Sequence, residues 1–312
     1  MLRNWKKFTL FGFIAVALTL YSFTENNSQE QSPFVSDSFC SSRSASRGPG
    51  QRVLSYSYYE NAYTSRNQGR DYLSGVARNL PTMRAHYPGY VMRVYHDIAA
   101  NSTSLATLNR LAVEGGDLDL CHVGEIPALP DMSHIFPMLW RFLVGLDPQV
   151  DVFFVRDLDS PISQREESAV VEFLQSTDTD WHVMRDHPDH CVAILGCSWG
   201  VKLQRPSTRK LYRESFYKSM NDTSLSYAPR TSYQPDQRIL TKYFWPWAKD
   251  TMMAHDSYCC KIFRAGWRPY PTARTNEAPN FIGAASLKAT IPKGNECPQD
   301  CRPANHQDWV YC

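Results

Sequence analysis

The sequence predicts an α/β fold in which a largely parallel sheet is flanked by helices. Three observations carry that expectation. Short β-rich runs alternate with stretches of helical spacing from about residue 51 to residue 200. One run, VDVFFV at 150–155, is almost wholly apolar, as a central strand covered on both faces must be. The chain has 312 residues, ample for a sizeable core.

The elements follow in order. Arg52 to Tyr59 (RVLSYSYY) reads as a strand by composition and partial alternation. Asp71 to His86 places Tyr72, Val76, Leu80 and Met83 near helical spacing, despite Pro81. Val91 to His96 is a second strand, and Ser104 to Val113 a short helix closed by Gly115-Gly116. Leu118 to Val123 is a third strand, and Ser133 to Leu146 a helix with Pro137 near its start. After the fourth strand, Ser163-Gln164-Arg165-Glu166 has capping-box form: Ser163 accepts from a backbone N–H and Glu166 returns the bond. The helix through Gln175 puts Ala169, Val170, Phe173 and Leu174 on one face, and His182 to Arg185 is a fifth strand. Beyond Gly200 the pattern weakens into aromatic-rich segments punctuated by proline.

The first fifty residues point to a compartment. Phe8 to Phe23 carries no charge, with Arg3, Lys6 and Lys7 before it and Glu25 and Glu30 after it. By the positive-inside rule the N-terminus stays in the cytosol and the body crosses. Sixteen residues span roughly 24 Å as a helix, which suits a thin early secretory membrane. A cleaved signal peptide, with secretion of the body, is the alternative, but Leu20-Tyr21-Ser22-Phe23 is bulky for a cleavage site. The expected layout is a cytosolic tail (1–7), a transmembrane signal anchor (8–24), a flexible Ser-rich stem (25–50) and a lumenal domain (51–312), as in a single-pass type II Golgi membrane protein. N-glycosylation triplets begin at Asn26, Asn101 and Asn221. Nine cysteines suit an oxidising compartment, and their odd number leaves a disulfide-linked dimer open. Cys259 and Cys260 are adjacent and so take different partners, while Cys297, Cys301 and Cys312 suggest a stapled C-terminal tail. A net charge of +2 excludes a chain built mainly to neutralise nucleic acid, so no nucleic-acid partner is expected.

Asp-x-Asp occurs three times, at 117–119, 157–159 and 178–180, and about one such triplet is expected by chance. Context separates them. Only Asp157 and Asp159 directly follow a strongly apolar strand and directly precede a capped helix. Ligands of open α/β sheets bind at the carboxyl ends of strands. Two carboxylates there can converge on a hard cation, Mn²⁺ or Mg²⁺, that neutralises a departing diphosphate. The competing structural reading is a solvated turn paired with Arg156 and Arg165.

The stretch VFFVRDLDSPISQREESAVVEFLQS, followed by WHVMRDHPDHCVAILGCSWGVK, resembles glycosyltransferase-like proteins related to bacterial capsular-polysaccharide enzymes. Those sequences share a strand, RDxDS, a helix beginning RE, MRDHP and an ILGG-x-WG segment. The likeness runs from about Val53 to Ala285 and is densest from Val152 to Gly200. It implies a GT-A-like fold, a nucleotide-sugar-binding sheet flanked by helices and merged with an acceptor-binding half. By this resemblance Asp157 and Asp159 are the metal- and ribose-contacting DxD. Gly196, Trp199 and Gly200 fall in the segment that brings bare backbone near the sugar, although Cys197 stands where the group has its second glycine.

Other residues join as candidates. Asp186, after the fifth strand, can bond sugar hydroxyls or act as base, or is simply a turn residue before His187-Pro188. Asp236 lies in SYQPDQRIL; similar DQ segments open helices near donor or acceptor in several glycosyltransferase families, and an acid there also offsets the helix dipole. His255 resembles the downstream histidine that completes a GT-A metal site, and imidazole suits Mn²⁺. Among Tyr243, Phe244, Trp245, Trp247, Trp267 and Tyr270, one or two are expected to stack on an acceptor sugar. His182, His187 and His190 with Cys191 and Cys197 raise a zinc site, but their spacing matches no compact motif.

The expectation is thus a metal-dependent glycosyltransferase moving a sugar from a nucleotide-sugar donor to a glycan or glycoconjugate acceptor. The alternatives are a catalytically inactive GT-A-like glycan-binding lumenal protein and a lumenal zinc-dependent hydrolase.

Overall fold

In the computed structural model the described residues are 39–60, 71–274, 281–285 and 296–312. The proposed tail, the 8–24 anchor and the Asn26 triplet lie outside them. Among the described residues no helix is long and apolar enough to cross a membrane.

A one-turn helix α1 (Ser42–Ala45) leads into strand β1 (Gln51–Tyr58). Helix α2 (Tyr72–His86), β2 (Val91–His96), α3 (Thr103–Gly115) and β3 (Leu118–His122) follow, then a 3-10 segment (Pro137–Leu146) and β4 (Val150–Arg156). Next come α4 (Gln164–Gln175), β5 (Trp181–Arg185), β6 (Ser198–Lys202) and α5 (Pro206–Met220). Short helices α6 (Thr223–Ser226) and α7 (Pro235–Ile239), then strands β7 (Met252–Asp256) and β8 (Trp267–Arg268), complete the eight-stranded sheet. Its order is β3-β2-β1-β4-β6-β5-β7-β8. All neighbours pair parallel except β6, which runs antiparallel to both β4 and β5. The α/β class expected from the sequence is present.

The sheet is covered on both faces, which explains VDVFFV. Phe153 packs with Trp140, Trp199 and Tyr212 in one apolar layer, while Phe154 packs with Leu54, Val76 and Phe173 in the other. Successive strand residues point to opposite faces, so a doubly covered strand shows no alternation.

Three local expectations change. Residues 137–146, expected within a helix over 133–146, form a 3-10 segment that is buried nearly throughout. Ser163 caps α4, accepting from the Glu166 N–H at 3.3 Å, but Glu166 does not return the bond. Its buried carboxylate instead accepts from Arg156 and from Tyr87 Oη, each at 2.5 Å. Residues 39–50, expected in a flexible stem, are ordered instead. Cys40 is disulfide-bonded to Cys121, and Arg47 bonds Asp119 at 2.9 Å, so residues 39–50 belong to the folded body.

Eight cysteines form four disulfides: Cys40–Cys121, Cys191–Cys259, Cys260–Cys301 and Cys297–Cys312. Cys259 and Cys260 do take different partners, and the C-terminal tail is stapled. The ninth, Cys197, is free and buried, which leaves no exposed thiol for a disulfide-linked dimer. Cys40–Cys121 closes a loop of sequence separation 81. By chain entropy, replacing both cysteines by alanine is expected to lower stability by about 4 kcal/mol, read as an earlier denaturant midpoint.

Candidate active site

Strands β1 and β4 are adjacent and parallel, so the turns that follow them leave the sheet at one edge. A cavity of about 260 Å³ opens there. Asp157 and Asp159, after β4, line it; so do Tyr58 and Tyr59 at the end of β1, Gly196 before β6, and Asp236 on α7. Helix α2 fixes the Asp157–Ser160 turn. Asn79, buried, donates to Leu158 O and Ser160 O at 3.1 Å each, and Arg78 donates to Leu158 O at 3.2 Å and Asp159 O at 3.3 Å.

The residue that organises the carboxylates is Arg141, which sequence reasoning missed. It lies in the 3-10 segment, with its side chain only 2% exposed. One guanidinium nitrogen, Nη1, donates to Arg156 O at 3.1 Å and to Asp157 Oδ1; the other, Nη2, donates to Asp236 Oδ2 at 2.9 Å. Burial works against its charge, and the Asp157 and Asp236 carboxylates outweigh that, holding its pKa above the ordinary value. Burial raises the Asp236 carboxyl above the usual range against the pull of Arg141, with Asp157 adding to the rise. The available signal was a lone arginine inside an apolar run, which needs a buried acid.

Four of the expected site residues therefore meet: Asp157, Asp159, Gly196 and Asp236. The other four lie elsewhere, each for a physical reason. Asp186 is fully buried and accepts from Arg165 Nε and Nη2 at 2.9 Å, Arg274 at 3.0 Å, Ser257 at 2.7 Å and the Ile282 N–H at 3.1 Å. Burial would raise its pKa, but the two guanidiniums prevail and hold it low. A carboxylate so committed has no lone pair to act as base. His255 falls on the same face of β7 as Met253, packed toward α4. There it bonds His182 at 2.8 Å and Glu172 at 3.1 Å, away from the Asp157 turn, and burial lowers its pKa. It is not a partner of the DxD.

Trp199 is fully buried in β6 and stacks on Trp181 with ring centroids 5.3 Å apart. Gly200 is a packing glycine: a Cβ there would stand 2.2 Å from Phe154 Cδ1 and 2.7 Å from Phe153 O. Gly200→Ala is expected to lower stability by about 1–3 kcal/mol through overpacking, visible in thermal melts. The late aromatics do not line the cavity either. Phe244 and Tyr270 are buried, Tyr243, Trp245 and Trp247 pack against the core, and Trp267 lies against the C-terminal disulfides. Tyr58, Tyr59, Tyr72 and Tyr233 stand at the cavity instead. The zinc reading loses Cys191 to its disulfide and His182 to His255.

The cavity's donor set fits a hard divalent cation. Asp157 and Asp159 offer carboxylate oxygens, and among the described residues no group of three His, Cys, Asp or Glu is placed to hold a metal. Two carboxylates suit a cation that completes its shell with phosphate oxygens and water.

No family model matches the chain, and no curated protein sequence matches it. Solved structures do. The chain is similar in fold to glycosyltransferases. One is a glycosyltransferase involved in the glycosylation of the major capsid of PBCV-1, at 13% identity and TM-score 0.34, covering 67% of this chain and 82% of that one. Another is the galactosyltransferase LgtC in complex with donor and acceptor sugar analogs, at 13% identity and TM-score 0.41, covering 66% and 74%. A third is the mannosyltransferase PcManGT from Pyrobaculum calidifontis in complex with GDP-Man and Mn²⁺, at 13% identity and TM-score 0.35; the match covers 62% of this chain and 52% of that one. Likeness at this level concerns the course of the chain and assigns neither residues nor reaction.

Proposed function

We propose that the protein is a metal-assisted glycosyltransferase that moves a sugar from a nucleotide-sugar donor to a glycan or glycoconjugate acceptor. The observation that carries this reading is the meeting of Asp157, Asp159 and Asp236 in one cavity at the carboxyl edge of an α/β sheet. A divalent cation held by Asp157 and Asp159 would supply positive charge to the diphosphate as it leaves. Arg141 orients Asp157, α2 fixes the turn that carries both aspartates, and the tyrosines give the cavity its apolar wall. The DxD sequence resemblance supplies the reaction class.

The same proposal puts the body in the lumen of the secretory pathway, held in the Golgi membrane as a single-pass type II protein by residues 8–24. Four disulfides support an oxidising compartment, and Asn101 and Asn221 are exposed, as glycan acceptors must be. The test is release of nucleoside diphosphate from a panel of UDP- and GDP-sugars by the full chain, with and without Mn²⁺. Mn²⁺-dependent release with at least one donor is expected. Absence of release across the panel, with glycan binding retained, would instead support the non-enzymatic reading.

A further inference from the structure

Asp236 lines the cavity, and a buried carboxylate there invites the role of general base. Its contacts point elsewhere. Its Oδ2 accepts from Arg141 Nη2 at 2.9 Å, and the other arm of the same guanidinium bonds Asp157 Oδ1. The Arg141 side chain between the two carboxylates is 2% exposed, Asp236 is 11% exposed, and Asp157 is the most open of the three at 31%. Asp157 is therefore the end that meets a ligand. The next residue, Gln237, anchors the opposite wall, its Oε1 accepting from the Gly196 N–H at 2.9 Å and its Nε2 donating to Ile194 O. Gly196 is what lets the two walls meet, because a Cβ there would stand 2.9 Å from Asp236 Oδ2. Gln234, just before this pair, holds the left-handed backbone (φ 62°) that non-glycine residues adopt rarely, the kind of strained geometry found where a site is being fixed in place.

Resting on the function proposed above, we infer that Asp236 is a positioning residue: it holds Arg141, Arg141 holds Asp157, and cation and donor binding at Asp157 depend on a carboxylate that touches neither. The physical reason is competition. A guanidinium shared by two carboxylates binds each less tightly than it would bind one alone. Without Asp236, Asp157 is the carboxylate among the described residues that remains bonded to Arg141, which then draws that oxygen pair away from the cavity. Gly196, by the same geometry, serves the Arg141–Asp236 contact.

The test measures Mn²⁺ affinity of the full chain without donor, from the spin-resonance signal of free Mn²⁺, alongside kcat and donor KM. Asp236→Ala is expected to weaken Mn²⁺ binding and raise donor KM by roughly tenfold, with kcat changed by less than about threefold. Asp236→Asn keeps the shape and an acceptor oxygen, and it carries the test if the alanine variant does not fold; the same direction with a smaller size is expected. In an Arg141→Met background the effect of Asp236→Ala on Mn²⁺ affinity should vanish, because the intermediary is gone. A loss of kcat of about a hundredfold or more in Asp236→Asn, with Mn²⁺ affinity unchanged, would identify a base and overturn the inference. An Asp236 effect that persists without Arg141 overturns it as well. An unsubstituted chain that binds neither Mn²⁺ nor any nucleotide sugar removes the functional reading itself, a result visible before any variant is made.

Discussion

Asp186→Ala is expected to melt about 10 °C below the unsubstituted protein. Asp186 is fully buried and binds two guanidiniums, those of Arg165 and Arg274, together with Ser257 and the Ile282 N–H. Removing one partner of a buried ion pair leaves an uncompensated charge and costs about 3–5 kcal/mol. In a domain of this size each kcal/mol lowers the melting temperature by about 2–4 °C. The loss should be larger than for most single substitutions because Arg165, Ser257, Arg274 and Ile282, distant in sequence, meet at this one carboxylate. Thermal melts with turnover assays at a temperature where the variant is folded separate the two roles. Turnover retained there shows that Asp186 builds the fold and is not the base.

Asp159→Asn is the converse case: activity falls by roughly 10²–10³-fold while the melting temperature hardly moves. Among the described residues, three carboxylates and one guanidinium, that of Arg141, line the cavity. Asparagine keeps the shape of the side chain and an acceptor oxygen, and removing one negative charge from that group relieves repulsion, so the expected cost in stability is small. Activity has every reason to, because one of two carboxylates available to a cation is lost. The Mn²⁺ concentration for half-maximal turnover should rise with the loss of rate. Turnover at the unsubstituted level in this variant would remove the metal role from the DxD.

These two aspartates show what sequence could and could not resolve. Both follow a strand and both precede a turn, so local pattern treats them alike. What separates them is the company that tertiary structure brings. Arg165 and Arg274 come from 21 and 88 residues away to bury Asp186, whereas Asp159 opens on the cavity. The strand framework from β1 to β5 was legible because apolar runs and turn residues are local signals. Strand β6 was not, since its five residues SWGVK include a serine, a glycine and a lysine and make no apolar run, and neither was the 3-10 course of 137–146. His255 was misplaced because resemblance and residue type nominated it without a strand to give it a face; in β7, period-two alternation sends it toward Glu172 of α4. Arg141 was written in plain view, one charge in PMLWRFLVGL, and only its partners Asp157 and Asp236 reveal its use.

The account rests on Asp157 and Asp159 forming a cation-assisted donor site. Titration calorimetry of the full chain with UDP- and GDP-sugars, in the presence of Mn²⁺ and again after chelation, tests this most directly. The predicted result is saturable binding of at least one donor that requires Mn²⁺ and is lost in Asp159→Asn. Donor binding of equal strength after chelation, or the same affinity in Asp159→Asn, would contradict it.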